Sequence, residues 1–270
     1  MTPHHRLLWA GLTCFSLLLA PVGAKTLPHT MDNARQQTAY PFVTLTKTLT
    51  VPITNAKGQR VKQTVAELSY PKFQASWLNQ LVEKPALAWF ADDAKELRDS
   101  FADFLKDEPK AHAWNINQSV YVSAQSPRLL VISRDYDAYS GGAHGSAWLG
   151  FDHIDLHNRR LVTLSDLFSQ AEQQALTRLA EPYFRRDNEV AADVPLTESG
   201  YWFENDQFKL PAQFALTEKG MLFIYGQYEV APYAAGMPAF VVPYSAIAKA
   251  KDGKSLLSQL VANLKDKKSQ

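Results

Sequence analysis

Cysteine is scarce in this chain: one of its 270 residues is a cysteine, and that residue, Cys14, lies near the N-terminus. Without a second cysteine the chain forms no internal disulfide, so its stability must come from an apolar core. Charge of one sign is also lacking, since 28 basic residues face 27 acidic ones. Nucleic-acid binding needs a clustered positive face, so we expect no nucleic-acid partner.

Motifs for phosphate, dinucleotide or nucleophile chemistry are missing as well. The chain has no GxxxxGK[ST] or GxGxxG pattern, and no GxSxG turn. We therefore predict no cofactor.

The first 24 residues have the features of an export signal. Arg6 supplies early positive charge, the apolar run Leu7–Ala20 follows, and cleavage is expected after Ala24. The run is shorter than the roughly 20 residues that a helix needs to cross a bilayer, so no transmembrane segment is predicted in the mature chain. Cys14 leaves lipid attachment open, although the preceding Thr13 is untypical of a lipoprotein. The predicted location is periplasmic or secreted.

Hydrophobic periodicity predicts one α+β domain over 41–270, after the signal peptide 1–24 and a flexible arm 25–40. An N-terminal lobe, 41–109, is expected to combine a hairpin with helices. A C-terminal lobe, 110–270, is expected to hold most of a largely antiparallel sheet packed with helices. Strands are predicted over 42–53, 61–68, 113–124, 128–136, 147–156, 161–164, 214–216, 220–228 and 239–242. Helices are predicted from 75 to an interruption at Pro85, and over 86–105, 170–184 and 246–264, the last with a break allowed at Gly253.

The most unusual segment runs from Tyr139 to Gly145. Gly141, Gly142 and Gly145 permit backbone angles with positive φ and close approach of a ligand or another chain segment. His144 stands between small residues. One interpretation places Tyr139, His144 and the free amides of this loop at a ligand site. The other is a tight connection between strands whose histidine bonds nearby backbone, and both stay open.

A second unusual segment runs from Tyr228 to Gly236. Glu229 follows an aromatic strand, and Tyr233 offers a hydroxyl or a stacking face. The alternative is a strand that ends in a turn with Glu229 at the surface. Among the tryptophans, Trp202 lies in a polar loop and is the best candidate for an exposed anchor, whereas Trp77 and Trp89 fall on helix stripes typical of a core.

Three potential metal ligands alternate along one predicted strand: His153, Asp155 and His157. Residues two apart on a strand are about 6.6 Å apart, so the two histidines would be about 13 Å apart. One ion cannot bind both, since zinc holds its ligands at roughly 2 Å. We therefore expect a polar outer face and no metal site.

The order of several segments resembles the RsiV-type extracytoplasmic domain, which is also found beside the catalytic domain of PdaC-type peptidoglycan deacetylases. The segments that carry the resemblance are Ser69–Phe73, Tyr139–Gly145, Phe151–Asn158, Leu164–Phe168, and Tyr228–Gly236 followed by Val242–Tyr244. The resemblance implies a helix-backed sheet, a location outside the cytoplasm, and recognition of a partner such as lysozyme. A deacetylase domain and an anti-sigma segment are lacking here, so we expect neither deacetylation nor sigma-factor signalling.

These observations favour a recognition domain that binds a cell-wall component or a wall-acting protein, with lysozyme or peptidoglycan fragments as partners. The predicted ligand-binding residues are Tyr139, Gly141, Gly142, His144, Glu229 and Tyr233. One alternative is an enzyme that acts on envelope glycans or peptides, with His144 and Glu229 as an acid–base pair. Another is a structural envelope protein without a ligand. The sequence favours binding over catalysis.

Overall fold

The computed structural model describes residues 40–54, 57–107, 115–139, 143–249 and 255–266. The expected signal peptide and all but the last residue of the expected arm lie outside the described residues, as do Gly141 and Gly142. The described chain is α+β with a mostly antiparallel arrangement of strands, as predicted.

Groups of strands are separated by pairs of α-helices along the chain. The strands are β1 Phe42–Thr54, β2 Arg60–Phe73, β3 Asn115–Gln125, β4 Leu129–Tyr139, β5 Ser146–Asp155, β6 Arg160–Val162, β7 Gln213–Leu216, β8 Met221–Ile224, β9 Ala239–Val242 and β10 Lys265–Asp266. The α-helices are α1 Ser76–Leu81, α2 Glu83–Asp107, α3 Leu164–Leu167, α4 Gln170–Asp187, α5 Tyr244–Lys249 and α6 Leu256–Val261. Two 3₁₀ turns cover Glu204–Asp206 and Tyr233–Ala235.

The large sheet, sheet A, has the strand order β1-β2-β3-β4-β5-β6, and β10 also pairs with β3. The β2–β3 pair is parallel and the other pairs are antiparallel. Parallel neighbours need a crossover connection, and α1 and α2 supply it. The predicted hairpin with helices is therefore the β1–β2 hairpin followed by this crossover.

A second sheet, sheet B, contains β7, β8 and β9, all antiparallel. The sequence indicated these three strands but not their separation from sheet A. Strand β4 explains how the layers stack, because both of its faces are buried. Leu130 and Ile132 pack in a cluster with α1 and α2, whereas Leu129 and Val131 pack in a cluster with α4 and sheet B. Sheet A is thus the middle layer.

Strand β2 continues through Tyr70 and Pro71, the two residues that were expected to end the strand predicted over 61–68. Pro71 pairs with Thr44 of β1, while the pairing of β2 with β3 covers only Ala66 to Ser69. The Phe73 amide, two residues on, donates to the Asn79 side chain at 2.8 Å and so points away from β1. The Pro71 nitrogen points the same way, beyond the last pair that the described part of β2 forms with β3, so its missing N–H costs no ladder bond.

The C-terminal segment, predicted as a helix over 246–264 with a break allowed at Gly253, is divided in two. It forms α5 and α6, and residues 250–254 between them lie outside the described residues. Ser255 caps α6 by accepting from the Ser258 amide. Among the described residues no helix is long and apolar enough to cross a membrane.

The expected polar face of β5 is wrong, because His153 and Asp155 are buried. Strand β7 packs on this face: the Leu216 amide donates to His153 Nε2 at 3.1 Å, and the His153 and Phe214 rings stack at 4.5 Å. Burial lowers the pKa of His153 to about 3, so the ring is neutral at pH 7 and joins the two sheets.

Asp155 organises the turn that follows β5. Its carboxylate accepts from the amides of His157 and Asn158 at 2.9 and 3.1 Å, and pairs with Arg128 at 3.1 Å. Burial acts to raise the pKa of Asp155, but the bonds from Arg128 and the turn outweigh it and hold this pKa below its usual value. His153 and Asp155, two of the three potential metal ligands in the sequence, therefore have structural roles.

Candidate functional site

Two loops far apart in sequence meet at one end of the molecule. The first connects β4 to β5 and carries His144, and the second follows β8 and spans 226–236. The His144 ring stacks on the Tyr233 ring, with centroids 3.7 Å apart and planes 16° apart. The Tyr228 hydroxyl lies 3.1 Å from His144 Nε2. We call His144, Tyr228 and Tyr233 the histidine–tyrosine cluster.

Both ring nitrogens of His144 are engaged. Nδ1 lies 2.9 Å from the Gly145 carbonyl oxygen, which only accepts hydrogen bonds, so Nδ1 carries a proton. In the neutral ring Nε2 is then an acceptor, and the Tyr228 hydroxyl donates to it. These two bonds and the stacking contact fix the orientation of an exposed imidazole.

The second loop begins with a tight turn. The Glu229 amide donates to the Gly226 carbonyl at 3.2 Å, and the Gly226 amide donates back to Glu229 Oε2 at 2.7 Å. Tyr228 occupies the third position of this turn with φ 61°. Aromatic residues seldom adopt a positive φ, and such strain is concentrated at functional sites. The left-handed backbone of this turn sets the position of the Tyr228 ring, because an extended backbone would direct the ring elsewhere.

A side chain ties the second loop to sheet A. Gln227 Oε1 accepts from the Ala147 amide at 2.8 Å, near the start of β5. On the other side of β5, a Cβ at Gly145 would lie 2.6 Å from the Ala138 carbonyl oxygen of β4, so only glycine fits this close approach. The hairpin end and the second loop are therefore held at a fixed separation.

The cluster is accessible. Tyr228 is 52% exposed, and Trp202, in a neighbouring loop, is 54% exposed. The Trp202 amide donates to the Val230 carbonyl at 2.7 Å, which places the loop of Trp202 next to the loop of Tyr228. The expectation that Trp202 is an exposed aromatic is confirmed.

The structure brings together His144 and Tyr233, which the sequence analysis named among the predicted ligand-binding residues. Tyr139 ends β4 at the base of the first loop, its Cα 4.0 Å from the Cβ position of Gly145. Glu229 is exposed and bonded to the Gly226 amide. Gly141 and Gly142 lie outside the described residues. No cluster of three or more potential metal ligands occurs in the part of the chain that the structure describes.

Two residues of the site were missed by the sequence reasoning. Gln227 and Tyr228 close the strand predicted over 220–228, and Tyr228 also begins the second unusual segment, but neither was predicted to bind a ligand. The only available signal was a glycine followed three residues later by an acidic residue, and that pattern does not show the positive φ of Tyr228. Such a conformation depends on tertiary packing.

Comparison with known proteins shows a family likeness. Residues 165–245 match the profile of a family described as a protein of unknown function, DUF3298. This stretch contains α4, sheet B and the second loop, but not His144. No curated protein matches the chain.

Two similar solved structures are members of the DUF3298 family. One, from Bacteroides fragilis, is 22% identical with a TM-score of 0.59, and the match covers 83% of this chain and 97% of that one. The other, from Pseudomonas aeruginosa, is 21% identical with a TM-score of 0.54, and the match covers 77% and 93%. At these identities the likeness shows the fold alone. The fold described above is therefore that of solved DUF3298 proteins.

Proposed function

We propose that this protein is an exported recognition domain, similar to the RsiV type, that binds a cell-wall component or a wall-acting protein such as lysozyme. Its location would be periplasmic or secreted, after removal of 1–24. The contact between His144 and the loop of Tyr228 and Tyr233 carries the proposal, because it joins two distant loops into one accessible surface.

The chemistry of this surface suits binding. Tyrosine and tryptophan supply large contact areas with few rotatable bonds, and they are enriched at the centres of protein interfaces. Here the rings of His144 and Tyr233 are stacked before any ligand arrives, so little side-chain freedom remains to be lost on binding. The strained φ of Tyr228 fits a residue kept in place for a role other than stability.

The acid–base alternative gains no support from the hydrogen bonds. Glu229 accepts from the Gly226 amide, while the His144 nitrogens engage the Gly145 carbonyl and the Tyr228 hydroxyl. The Glu229 carboxylate and both His144 ring nitrogens are thus already engaged in hydrogen bonds that shape the two loops. We favour binding over catalysis for this reason.

Calorimetric titration tests the proposal. The mature chain is titrated with lysozyme and, separately, with soluble peptidoglycan fragments. We expect saturable binding of one of them and a loss of about tenfold in affinity for Tyr228→Ala, since a central aromatic anchor contributes at least about 1.4 kcal/mol. Leu161→Ala, which alters a 42%-exposed residue on β6, is the control and should bind normally.

Two results would contradict the proposal. One is that neither lysozyme nor the fragments bind the folded wild-type chain. The other is that His144→Ala and Tyr228→Ala lower the melting temperature while binding stays unchanged, which would make the cluster a structural connection between the loops.

A further inference from the structure

A second group of aromatic rings lies on the other face of sheet A from sheet B. Tyr136 and Trp148 are directly paired across β4 and β5, and they share a face with Ile132, which packs under the α1–α2 layer. The Trp89 side chain of α2 packs against this pair. A pocket of about 400 Å³ opens here, lined by Trp89, Asp93, Arg134, Tyr136 and Trp148.

The three rings form a fixed wall. The Trp89 centroid lies 5.9 Å from that of Tyr136, at 34°, and 5.9 Å from that of Trp148, at 75°. Trp148 lies over Gly150, where a Cβ would be 2.2 Å from the indole Cη2. The absence of a side chain at Gly150 therefore lets this indole lie flat against the strand, while 39% of the residue stays exposed.

A guanidinium with spare donors borders the rings. Arg134 Nε donates to Asp152 Oδ2 at 2.6 Å, and its Nη2 contacts the same oxygen. The Arg134 side chain is only 14% exposed, which limits its motion. Its Nη1 has no hydrogen-bond partner among the described residues, so two N–H donors remain for a ligand.

A carboxylate is held on the opposite wall. Gln118 of β3 is buried, and its Nε2 donates to Asp93 Oδ2 at 2.6 Å. Gln118 Oε1 has no partner within the described chain. Buried polar atoms are nearly always bonded, so this oxygen is an unmet acceptor beside Asp93.

We propose that this pocket binds a single glycan ring, whose C–H face packs on Trp148 and whose hydroxyls bond to Arg134 and Asp93. A pyranose has a flat apolar face and an edge of groups that both donate and accept. The pocket offers aromatic rings, one donor group and one acceptor group. An anionic ligand would meet the carboxylates of Asp93 and Asp152, and a cationic one would meet Arg134.

The size of the pocket supports one ring at a time. Ligand sites range over roughly 300–1,000 Å³, and this pocket lies at the small end. The exposed edge of Trp148 leaves a path for the rest of an oligosaccharide to extend into solvent. The inference goes beyond the proposed function, because the pocket shares no residue with the histidine–tyrosine cluster.

Isothermal calorimetry of the mature chain with a β-1,4-linked N-acetylglucosamine tetramer tests the inference. We expect saturable binding that weakens about tenfold or more in Trp148→Ala, as the loss of a stacking ring predicts. Trp148→Phe keeps a smaller ring and should bind with intermediate affinity. Circular dichroism melting identifies any variant that fails to fold, and Trp148→Phe then carries the test.

Two controls separate this pocket from the proposed recognition surface. Trp202→Ala removes an exposed tryptophan outside the pocket, and Tyr228→Ala removes a ring of the cluster, so both should bind the tetramer as the wild type does. The inference is overturned if the tetramer does not bind or if Trp148→Ala binds it unchanged. It is also overturned if choline, a cation that aromatic rings attract, binds more tightly than the tetramer. Loss of tetramer binding in Tyr228→Ala alone would overturn it too, while supporting the cluster as the glycan site.

Discussion

Tyr228 combines an exposed ring with a left-handed backbone, φ 61°. At this φ a Cβ costs roughly 1–2 kcal/mol, and only glycine avoids the cost. Tyr228→Gly should therefore be more stable than Tyr228→Ala by about 1 kcal/mol, measured as the free energy of unfolding in urea.

Tyr139 provides the matched control for this comparison, because it is an exposed tyrosine at the end of an extended strand. There the order should reverse, with Tyr139→Gly less stable than Tyr139→Ala by roughly 0.5–1 kcal/mol. Equal stabilities for the two Tyr228 variants would show that the turn carries no strain.

His153 links pH to stability. Its pKa is about 3 in the folded protein and about 6.5 in the unfolded chain, so below pH 6.5 the unfolded chain binds more protons. The stabilisation that neutral His153 provides is complete above pH 6.5 and falls as the pH drops toward 3, by about 1.4 kcal/mol per pH unit.

His153→Gln keeps a side-chain acceptor for the Leu216 amide but does not titrate. Between pH 7 and pH 4.5, this variant should lose about 2–3 kcal/mol less unfolding free energy than the wild type. His157→Gln removes an exposed histidine instead and should follow the wild-type pH profile. Parallel profiles for wild type and His153→Gln would mean that His153 is not buried in the neutral form.

At the scale of elements, the β4–β5 hairpin depends on a close backbone approach at Gly145. A Cβ there would lie 2.6 Å from the Ala138 carbonyl oxygen, which belongs to backbone and cannot swing aside. Gly145→Ala should lower the unfolding free energy by about 1–3 kcal/mol, as overpacking does. Gly226→Ala is the control, since its Cβ would meet Glu229 Oε2 at an ordinary 3.5 Å. A Gly145→Ala variant as stable as Gly226→Ala would contradict the described packing of the hairpin.

Local patterns predicted the elements well where one physical preference dominated. The alternation and β-branched residues of 42–53 indicated β1, and the apolar stripe of 86–105 indicated α2. Pro71 misled because its effect depends on which neighbour its nitrogen faces, and that is a property of the sheet. His153 misled because its burial comes from β7, about 60 residues further along the chain.

In the candidate site, too, local sequence patterns were informative, whereas contacts between distant segments could not be predicted. Glycine-rich composition singled out His144, and the aromatic segment singled out Tyr233. Their contact, the bond from Tyr228 and the tether from Gln227 to Ala147 are all long-range facts. The pocket near Trp148 was missed for a related reason: Trp89 lies on a helix stripe, and a stripe does not show which of its rings stays half open to solvent.

At the scale of the whole molecule, sheet A separates the two surfaces that we propose as binding sites. The histidine–tyrosine cluster is built from the β4–β5 hairpin and the loop of sheet B, while the pocket lies between α2 and the opposite face of sheet A. Strand β5 contributes to both: the Ala147 amide donates to the Gln227 side chain that ties the first in place, and Trp148 forms a wall of the second. A module of this design could hold a glycan on one side and a protein on the other.

Hydrogen–deuterium exchange on the mature chain, with and without saturating lysozyme or peptidoglycan fragments, tests whether the loop of His144 and the loop of Tyr228 and Tyr233 form one recognition surface. With a ligand bound, we predict slower exchange in both 143–149 and 226–236, and little change in the β1–β2 hairpin. Unchanged exchange in both loops with either ligand, or protection confined to other parts of the chain, would contradict the proposed surface.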